Sequence, residues 1–96
     1  MQRLHYQHEN ASKHIIDRYM PVTDSEYEQY KRLANLGYYA TTEHDGQDRL
    51  LVTVASNRGY LPSIEKFCSY ADSEECIRNA ICSLYVPVII EGMVSR

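Results

Sequence analysis

The sequence has no tryptophan and a single phenylalanine, Phe67, whereas it has nine tyrosines. A tyrosine ring is apolar but carries a hydroxyl, so tyrosines are less often fully buried than phenylalanines and are enriched where proteins bind one another. Burying all of these hydroxyls would require a hydrogen-bond partner for each of them. The lack of other aromatic residues therefore predicts that some tyrosines pack in the core while others form a contact surface.

Long apolar runs and a strong charge imbalance are also absent. The longest apolar run, residues 85–90, is interrupted by Pro87 and is far shorter than the roughly 20 residues that span a bilayer. The formal net charge is −3, which is too small for a mimic of DNA and has the wrong sign for a general nucleic-acid binder. The sequence therefore predicts no membrane association and makes nucleic acid an unfavoured partner.

Cysteine is scarce, and its number is odd. The wide spacing of Cys68, Cys76 and Cys82 lacks the CxxC pattern of a compact zinc site, and the histidines near the N-terminus are spaced as loosely. Residues 1–21 carry charges and histidines instead of the apolar core of a secretory signal. We therefore interpret the cysteines as reduced thiols, and we expect a cytoplasmic protein without a metal or other cofactor.

The clearest helix is predicted over residues 23–36. Thr23 and Glu26 form a capping box, in which each side chain accepts a hydrogen bond from the backbone N–H of the other residue. Tyr27 and Tyr30 recur at helical spacing on the apolar stripe of this segment. We therefore assign these two tyrosines to the core.

A hairpin is predicted over residues 38–55, because two strand-like runs flank the turn-forming pair Asp45-Gly46. A two-residue loop and a three-residue loop with Gly46 in the left-handed conformation are both compatible with the sequence. A slip of one residue between them exchanges the buried and exposed faces of a strand. The sequence therefore leaves open which of Tyr38 and Tyr39 points inward.

The remaining segments divide between helices and strands. The predicted elements are a helix at 10–19, a helix at 62–71, a helix at 73–84 and a strand at Val86–Ile90. The second and third helices are separated because their apolar stripes point in nearly opposite directions. For the first segment, a strand at 14–20 is the alternative to a helix.

Together these elements predict one α+β domain over residues 1–96, with a small antiparallel sheet built on the 38–55 hairpin and helices packed on one face. With the alternative strand at 14–20, the element order becomes βαββαβ and the expected fold is ferredoxin-like. Residues 1–9 are interpreted either as a short strand, from their alternating residues, or as a mobile N-terminal segment.

The sequence contains no recognisable catalytic arrangement. His44 and Asp45 adjoin at the hairpin turn, but no serine or cysteine stands beside them in a nucleophile motif. Glu74 and Glu75 are consecutive, so on a helix they point in different directions and do not form an acid–base pair. We therefore expect a protein without enzymatic activity.

Four residues of the hairpin and the following loop are expected to bind a partner, namely Tyr38, Tyr39, Arg58 and Tyr60. Partly exposed tyrosine beside arginine is typical of interface hot spots. We predict a small non-catalytic protein–protein interaction module, such as an inhibitor or accessory protein of a virus or mobile element that binds and blocks a host protein. The exposed edge of the strand at Val86–Ile90 is expected to pair with a second copy in a C2 homodimer.

The alternative function is a nucleic-acid-binding regulator of the winged-helix type. In that interpretation the helices at 10–19 and 24–36 form a helix-turn-helix and the hairpin forms the wing. Its contacts with phosphate would come from Lys31, Arg32, Arg49 and Arg58.

Overall fold

The computed structural model describes residues 1–92 as a five-stranded mixed sheet with two α-helices packed on one of its faces. The elements are β1 (Gln2–Glu9), β2 (Ile15–Val22), α1 (Asp24–Ala34), β3 (Tyr38–His44), β4 (Arg49–Ser56), β5 (Ile64–Ser69) and α2 (Ser73–Tyr85). The predicted α+β class is confirmed. The element order ββαβββα differs from the ferredoxin-like alternative.

The strands lie in the order β2-β1-β3-β4-β5. Neighbouring strands are antiparallel except β1 and β3, which run parallel because β2 and α1 return the chain to the end of the sheet where β1 begins. The sheet is therefore mixed, whereas the sequence predicted an antiparallel sheet. Residues 2–9, for which a mobile segment was one interpretation, form an interior strand with a neighbour on each side.

The core lies between the sheet and the two helices. Alternate residues of each strand point into it, so that Leu4 of β1, Met20 of β2 and Val52 of β4 are buried together. Leu33 of α1 and Ile77 of α2 cover them from the helical side. The strands are therefore buried on one face only, as expected for a sheet with helices on a single side.

Helix α1 begins as the sequence predicts. The Thr23 side chain accepts a hydrogen bond from the Glu26 N–H at 3.1 Å, and the Glu26 carboxylate accepts one from the Thr23 N–H at 2.8 Å. Tyr27 and Tyr30 are partly buried and pack against the core, which confirms their assignment. Burial also raises the pKa of the Tyr30 hydroxyl.

The predicted helix at 10–19 is wrong, and the alternative strand describes this segment correctly. The Asn10 side chain accepts hydrogen bonds from the Ser12 and His14 N–H groups and closes the turn between β1 and β2. Met20 is then buried as part of a two-residue alternation. Pro21 lies in the edge strand β2, where the lack of an N–H is tolerated.

The predicted helix at 62–71 is also wrong, because most of this segment forms β5. Ile64 and Cys68 both face the core, and residues four apart share one face in a strand as well as in a helix. Phe67 distinguishes a strand from a helix, since it lies on the face of the sheet opposite Cys68. A single turn of 3₁₀ helix, Tyr70–Asp72, then leads into α2, whose predicted position at 73–84 is confirmed.

The predicted strand at Val86–Ile90 is wrong as well. These residues continue from α2 as a wide helical turn in which Val88 is buried, and Pro87 is tolerated near its start. The backbone groups of this segment are therefore turned along a helix and offer no strand edge to a second copy. The edge strands of the described sheet are β2 and β5.

Two of the three cysteines form a disulfide, between Cys68 of β5 and Cys76 of α2. The prediction of reduced thiols is therefore wrong for this pair, because two segments expected to be separate helices come together as a strand and the helix packed on it. Cys82 is free and exposed. None of the helices within residues 1–92 is both long and apolar enough to cross a membrane.

Candidate interaction surface on the open face of the sheet

The side of the sheet opposite the helices is uncovered within residues 1–92. We call this side the open face. The strand registers place every second residue of each strand on it. Its central members are His5, Gln7, Ile15, Asp17, Tyr19, Tyr39, Thr41, Glu43, Arg49, Leu51, Thr53, Glu65 and Phe67. All five strands therefore contribute to one continuous surface.

Three aromatic rings lie exposed on the open face. Tyr19 is 60% exposed, Tyr39 is 45% exposed and Phe67 is 52% exposed. Ile15 adds an exposed aliphatic side chain at the β2 edge. Large apolar groups that share one sheet face are more informative than single exposed ones, because such patches mark sites where proteins bind other molecules.

Side-chain contacts order the β1–β2 part of the open face. A ring nitrogen of His5 lies 2.8 Å from a carboxylate oxygen of Asp17, and the His5 ring lies 5.2 Å from the ring of Tyr19. Hydrogen bonds from His5 and then Gln7 lower the pKa of the Asp17 carboxyl. The Tyr19 ring therefore packs beside His5, whose ring is held in place by Asp17.

The β4–β5 part of the open face carries a second ordered group. The Arg49 guanidinium lies 4.4 Å from the centre of the Phe67 ring, in cation–π geometry. Its Nε donates to the Asp45 carboxylate at 2.6 Å. Arg49 therefore already has an anionic partner and a ring partner, which leaves it poorly placed to bind a phosphate.

Two shallow grooves lie where the open face meets the turns of the β1–β2 and β3–β4 hairpins. The larger has a volume of about 480 Å³, and Leu51 and Phe67 contribute to its lining. The smaller, of about 190 Å³, is lined in part by Glu9 and Glu43, which lie opposite each other on β1 and β3. Lys13 approaches Glu9 at 3.6 Å, so the grooves are bordered by charge but lined partly by apolar groups.

The structure separates the four residues that the sequence predicted to bind a partner. Tyr38 is buried, and its hydroxyl donates to the Pro62 carbonyl at 2.5 Å, so this ring cannot reach a partner. Burial also raises the pKa of the Tyr38 hydroxyl. Tyr39 lies on the open face. Arg58 and Tyr60 are exposed in the loop after β4, at the end of the sheet where β3 begins.

Sequence reasoning missed His5, Tyr19 and Phe67 as surface residues. Tyr19 and Phe67 fell within the two segments that were predicted as helices, although a strand at 14–20 was the alternative for the first of them. Local polarity gave little signal for Tyr19, because Met20 and Val22 are separated by Pro21 and alternate with their neighbours only in burial. Within the described part of the chain, no group of three or more histidine, cysteine, aspartate or glutamate residues could hold a metal ion.

Comparisons with protein-family models, with curated proteins and with solved structures give no significant match to this chain.

Proposed function

We propose that the open face of the sheet binds a partner protein and that this binding, without catalysis, is the function of the chain. The observation that carries the proposal is the exposure of Tyr19, Tyr39 and Phe67 on one uncovered sheet face. Tyrosine and phenylalanine are enriched at the centres of protein interfaces, where they bury a large area at a small cost in side-chain entropy. The strands that display these rings also form the core, so the surface is ordered before binding.

The charges on the open face specify the chemistry of the partner. Asp17, Glu43 and Glu65 are acidic residues of this face, and Glu43 and Glu65 form no salt bridge within residues 1–92. Arg49 is held by Asp45. Charge complementarity therefore favours a partner surface that is apolar at its centre and bears lysine or arginine side chains around it.

Nucleic-acid binding receives less support from the same surface. The winged-helix interpretation required a helix at 10–19 beside α1, and this segment instead forms a turn and the first part of β2. The carboxylates of the open face would also repel phosphates. The alternative stays a prediction, and a salt titration of binding to random duplex DNA tests it, since affinity that falls steeply with salt would support it.

A small protein with one preformed contact face suits the role of an inhibitor or accessory protein. We extend the proposal to an inhibitor of the kind that a virus or mobile element uses to block a host protein, which needs a surface for one target and no active site. The Cys68–Cys76 disulfide favours an oxidising environment for this activity over the cytoplasm predicted from the sequence.

Site-specific photo-crosslinking tests the proposal directly. A benzophenone amino acid would replace Tyr39 or Phe67 on the open face, and a matched control would replace Glu28, which is exposed on α1. We expect both open-face positions to give the same protein adduct from cell extract, and the control position to give none. Equal adducts from both sides of the molecule, or none from the open face, would contradict the proposal.

The captured partner then allows a quantitative test. The double substitution Tyr39→Ser/Phe67→Ser removes two exposed rings without touching the core, so folding is retained. We expect it to raise the dissociation constant at least tenfold, since loss of a central interface aromatic costs about 2 kcal/mol or more. Glu28→Ala is the control and should leave the dissociation constant unchanged.

A further inference from the structure

A polar cavity on the opposite side of the sheet has no part in the proposed interaction surface. Three polar side chains, Tyr6, His8 and Thr42, occupy positions where β1 and β3 face the core. Residues at such positions are usually aliphatic, because a buried polar group costs free energy unless it is hydrogen-bonded. The cluster lies beneath the 3₁₀ turn and the first residues of α2.

His8 presents one ring nitrogen to this cavity. The side chain is only 5% exposed, and its Nδ1 lies 2.8 Å from the Thr42 hydroxyl oxygen. We assign the hydroxyl as the donor, since it has no other side-chain acceptor within residues 1–92, which leaves the proton of the neutral ring on Nε2. Every fully buried polar side-chain atom of the described residues has a hydrogen-bond partner. The His8 Nε2–H has none, so it is accessible, and His8 lines the cavity.

The cavity has a volume of about 280 Å³ and is lined mainly by polar groups. Besides the three polar side chains of β1 and β3, its lining includes Arg18, Tyr70, Ser73 and Glu74. Strands β1, β2, β3 and β4 supply one wall, while the 3₁₀ turn and the first turn of α2 supply the other. This volume suits a small polar molecule and is near the lower limit for ligand pockets.

Opposite charges face each other across the cavity. Burial raises the pKa of the Tyr6 hydroxyl, the Glu74 carboxylate raises it further, and the Arg18 guanidinium lowers it. Both charges therefore lie near the same hydroxyl, from different walls. They form no ion pair with each other within 4.0 Å in the described part of the chain, although both line the cavity.

We propose that this cavity binds a free α-amino acid, whose two charges match those of the walls. The carboxylate of the ligand accepts hydrogen bonds from the Arg18 guanidinium and from the Nε2–H of His8. Its ammonium group is paired with the Glu74 carboxylate. A simple anion would be repelled by Glu74 and a simple cation by Arg18, so the site selects a molecule that carries both charges.

The disulfide contributes to the shape of the site. Tyr70, Ser73 and Glu74 all lie between Cys68 and Cys76, in a loop that the disulfide closes. Fixing this loop before binding reduces the entropy lost when the ligand is held, which strengthens binding. Reduction of the disulfide is therefore expected to weaken amino-acid binding at least threefold in protein that stays folded.

Isothermal titration calorimetry of the intact protein with each of the common L-amino acids tests the proposal. For every amino acid that binds, the matched amine without the carboxylate and the matched acid without the amine provide ligand controls. We expect at least one amino acid to bind and both of its analogues to bind at least tenfold more weakly. Absence of binding at millimolar concentrations of every amino acid would overturn the proposal.

Three variants locate the site and separate it from a general anion site. Arg18→Gln and Glu74→Gln should each weaken amino-acid binding at least tenfold, while Glu75→Gln, next to Glu74 on α2, should leave it unchanged. Glu74→Gln should also remove the preference for the amino acid over its matched acid. Wild-type affinity in both cavity variants, or inorganic phosphate that displaces the amino acid with equal affinity, would contradict the proposal.

Discussion

Two adjacent tyrosines show how strand alternation assigns one residue to the core and the next to the surface. Tyr38 is buried with its hydroxyl bonded to the Pro62 carbonyl, whereas Tyr39 points from the open face. The chemistry of the side chain is the same at both positions, so its role is set by its place in the β3–β4 register. Replacing each tyrosine by phenylalanine removes its hydroxyl and tests the core role of Tyr38 against the surface role of Tyr39.

Tyr38→Phe should lower the free energy of unfolding by about 1–3 kcal/mol, because it leaves the Pro62 carbonyl without its partner in a part-buried site. Tyr39→Phe is the matched control, and its effect should stay within about 0.5 kcal/mol because its hydroxyl is at the surface. Urea unfolding monitored by circular dichroism measures both. Equal effects of the two substitutions would contradict the assignment of Tyr38 to the core.

His8 should make stability depend on pH. Burial, then the Arg18 and His44 charges, lower the pKa of His8, while the Glu74 carboxylate faces it across the cavity. The folded protein therefore resists protonation of this ring, whereas the unfolded chain takes up the proton as the pH falls through about 6.5. The urea concentration at the unfolding midpoint should therefore decrease as the pH is lowered from 7.5 to 5.5.

The matched substitutions are His8→Gln and His14→Gln. The first removes the titrating group and should make the fall in the urea midpoint smaller. The second changes an exposed histidine in the turn between β1 and β2 and should leave the fall as in the wild type. A pH dependence that is the same in His8→Gln and in the wild type would show that His8 is not its source.

At the scale of the elements, local signals were sufficient for some segments and insufficient for others. The capping box at Thr23 predicts α1 because it is completed within four residues. The turn pair Asp45-Gly46 predicts the hairpin, but the structure pairs His44 with Leu50, so the turn is longer than either loop considered. Turn length depends on which faces of the strands meet the helices, and that information is not local.

Strands β2 and β5 were mistaken for helices for a related reason. Ile64 and Cys68 are four residues apart, a spacing that gives a shared face in both kinds of element. Only pairing with β4 decides between them, and that pairing joins residues distant in sequence. The same limit applies to the candidate site, where Tyr39 was identified from its hairpin while Tyr19 and Phe67 were not.

The reversal between α1 and β3 depends on Gly37. Its φ is +86°, and a Cβ there would meet the Asn57 side chain. Gly37→Ala should therefore lower the free energy of unfolding by about 2–4 kcal/mol, from left-handed strain plus overpacking. Gly46→Ala is the control, since Gly46 has a φ of +81° but open space around it, and it should cost about 1–2 kcal/mol.

Urea midpoints of the two glycine variants give the comparison. A further substitution, Gly37→Ala/Asn57→Ala, should recover part of the loss because it removes the side chain that the new Cβ meets. Equal losses for Gly37→Ala and Gly46→Ala would show that backbone strain alone accounts for both effects.

At the scale of the whole molecule, the Cys68–Cys76 disulfide joins the edge strand β5 to the helix that covers it. It closes a loop over a sequence separation of eight residues. Loss of a crosslink of this length should lower the free energy of unfolding by about 2–3 kcal/mol in the chain-entropy account. Dithiothreitol and the substitution Cys68→Ser/Cys76→Ser should have the same effect on the urea midpoint.

Cys82→Ser is the control for the disulfide experiment, because Cys82 is free and exposed and its loss should leave the midpoint unchanged. Dithiothreitol should still destabilise this variant. If instead the wild type and the Cys68→Ser/Cys76→Ser protein unfolded at the same midpoint, the disulfide would have no part in holding β5 to α2.

Covalent footprinting of the protein alone and in complex with its captured partner tests the central claim most directly. Hydroxyl radicals label exposed aromatic side chains, and the molecule carries such rings on both sides of the sheet. The open face predicts strong protection of Tyr19, Tyr39 and Phe67 in the complex, with Tyr70 on the helical side labelled as before. Protection of Tyr70 with unchanged labelling of Tyr39 and Phe67 would contradict it.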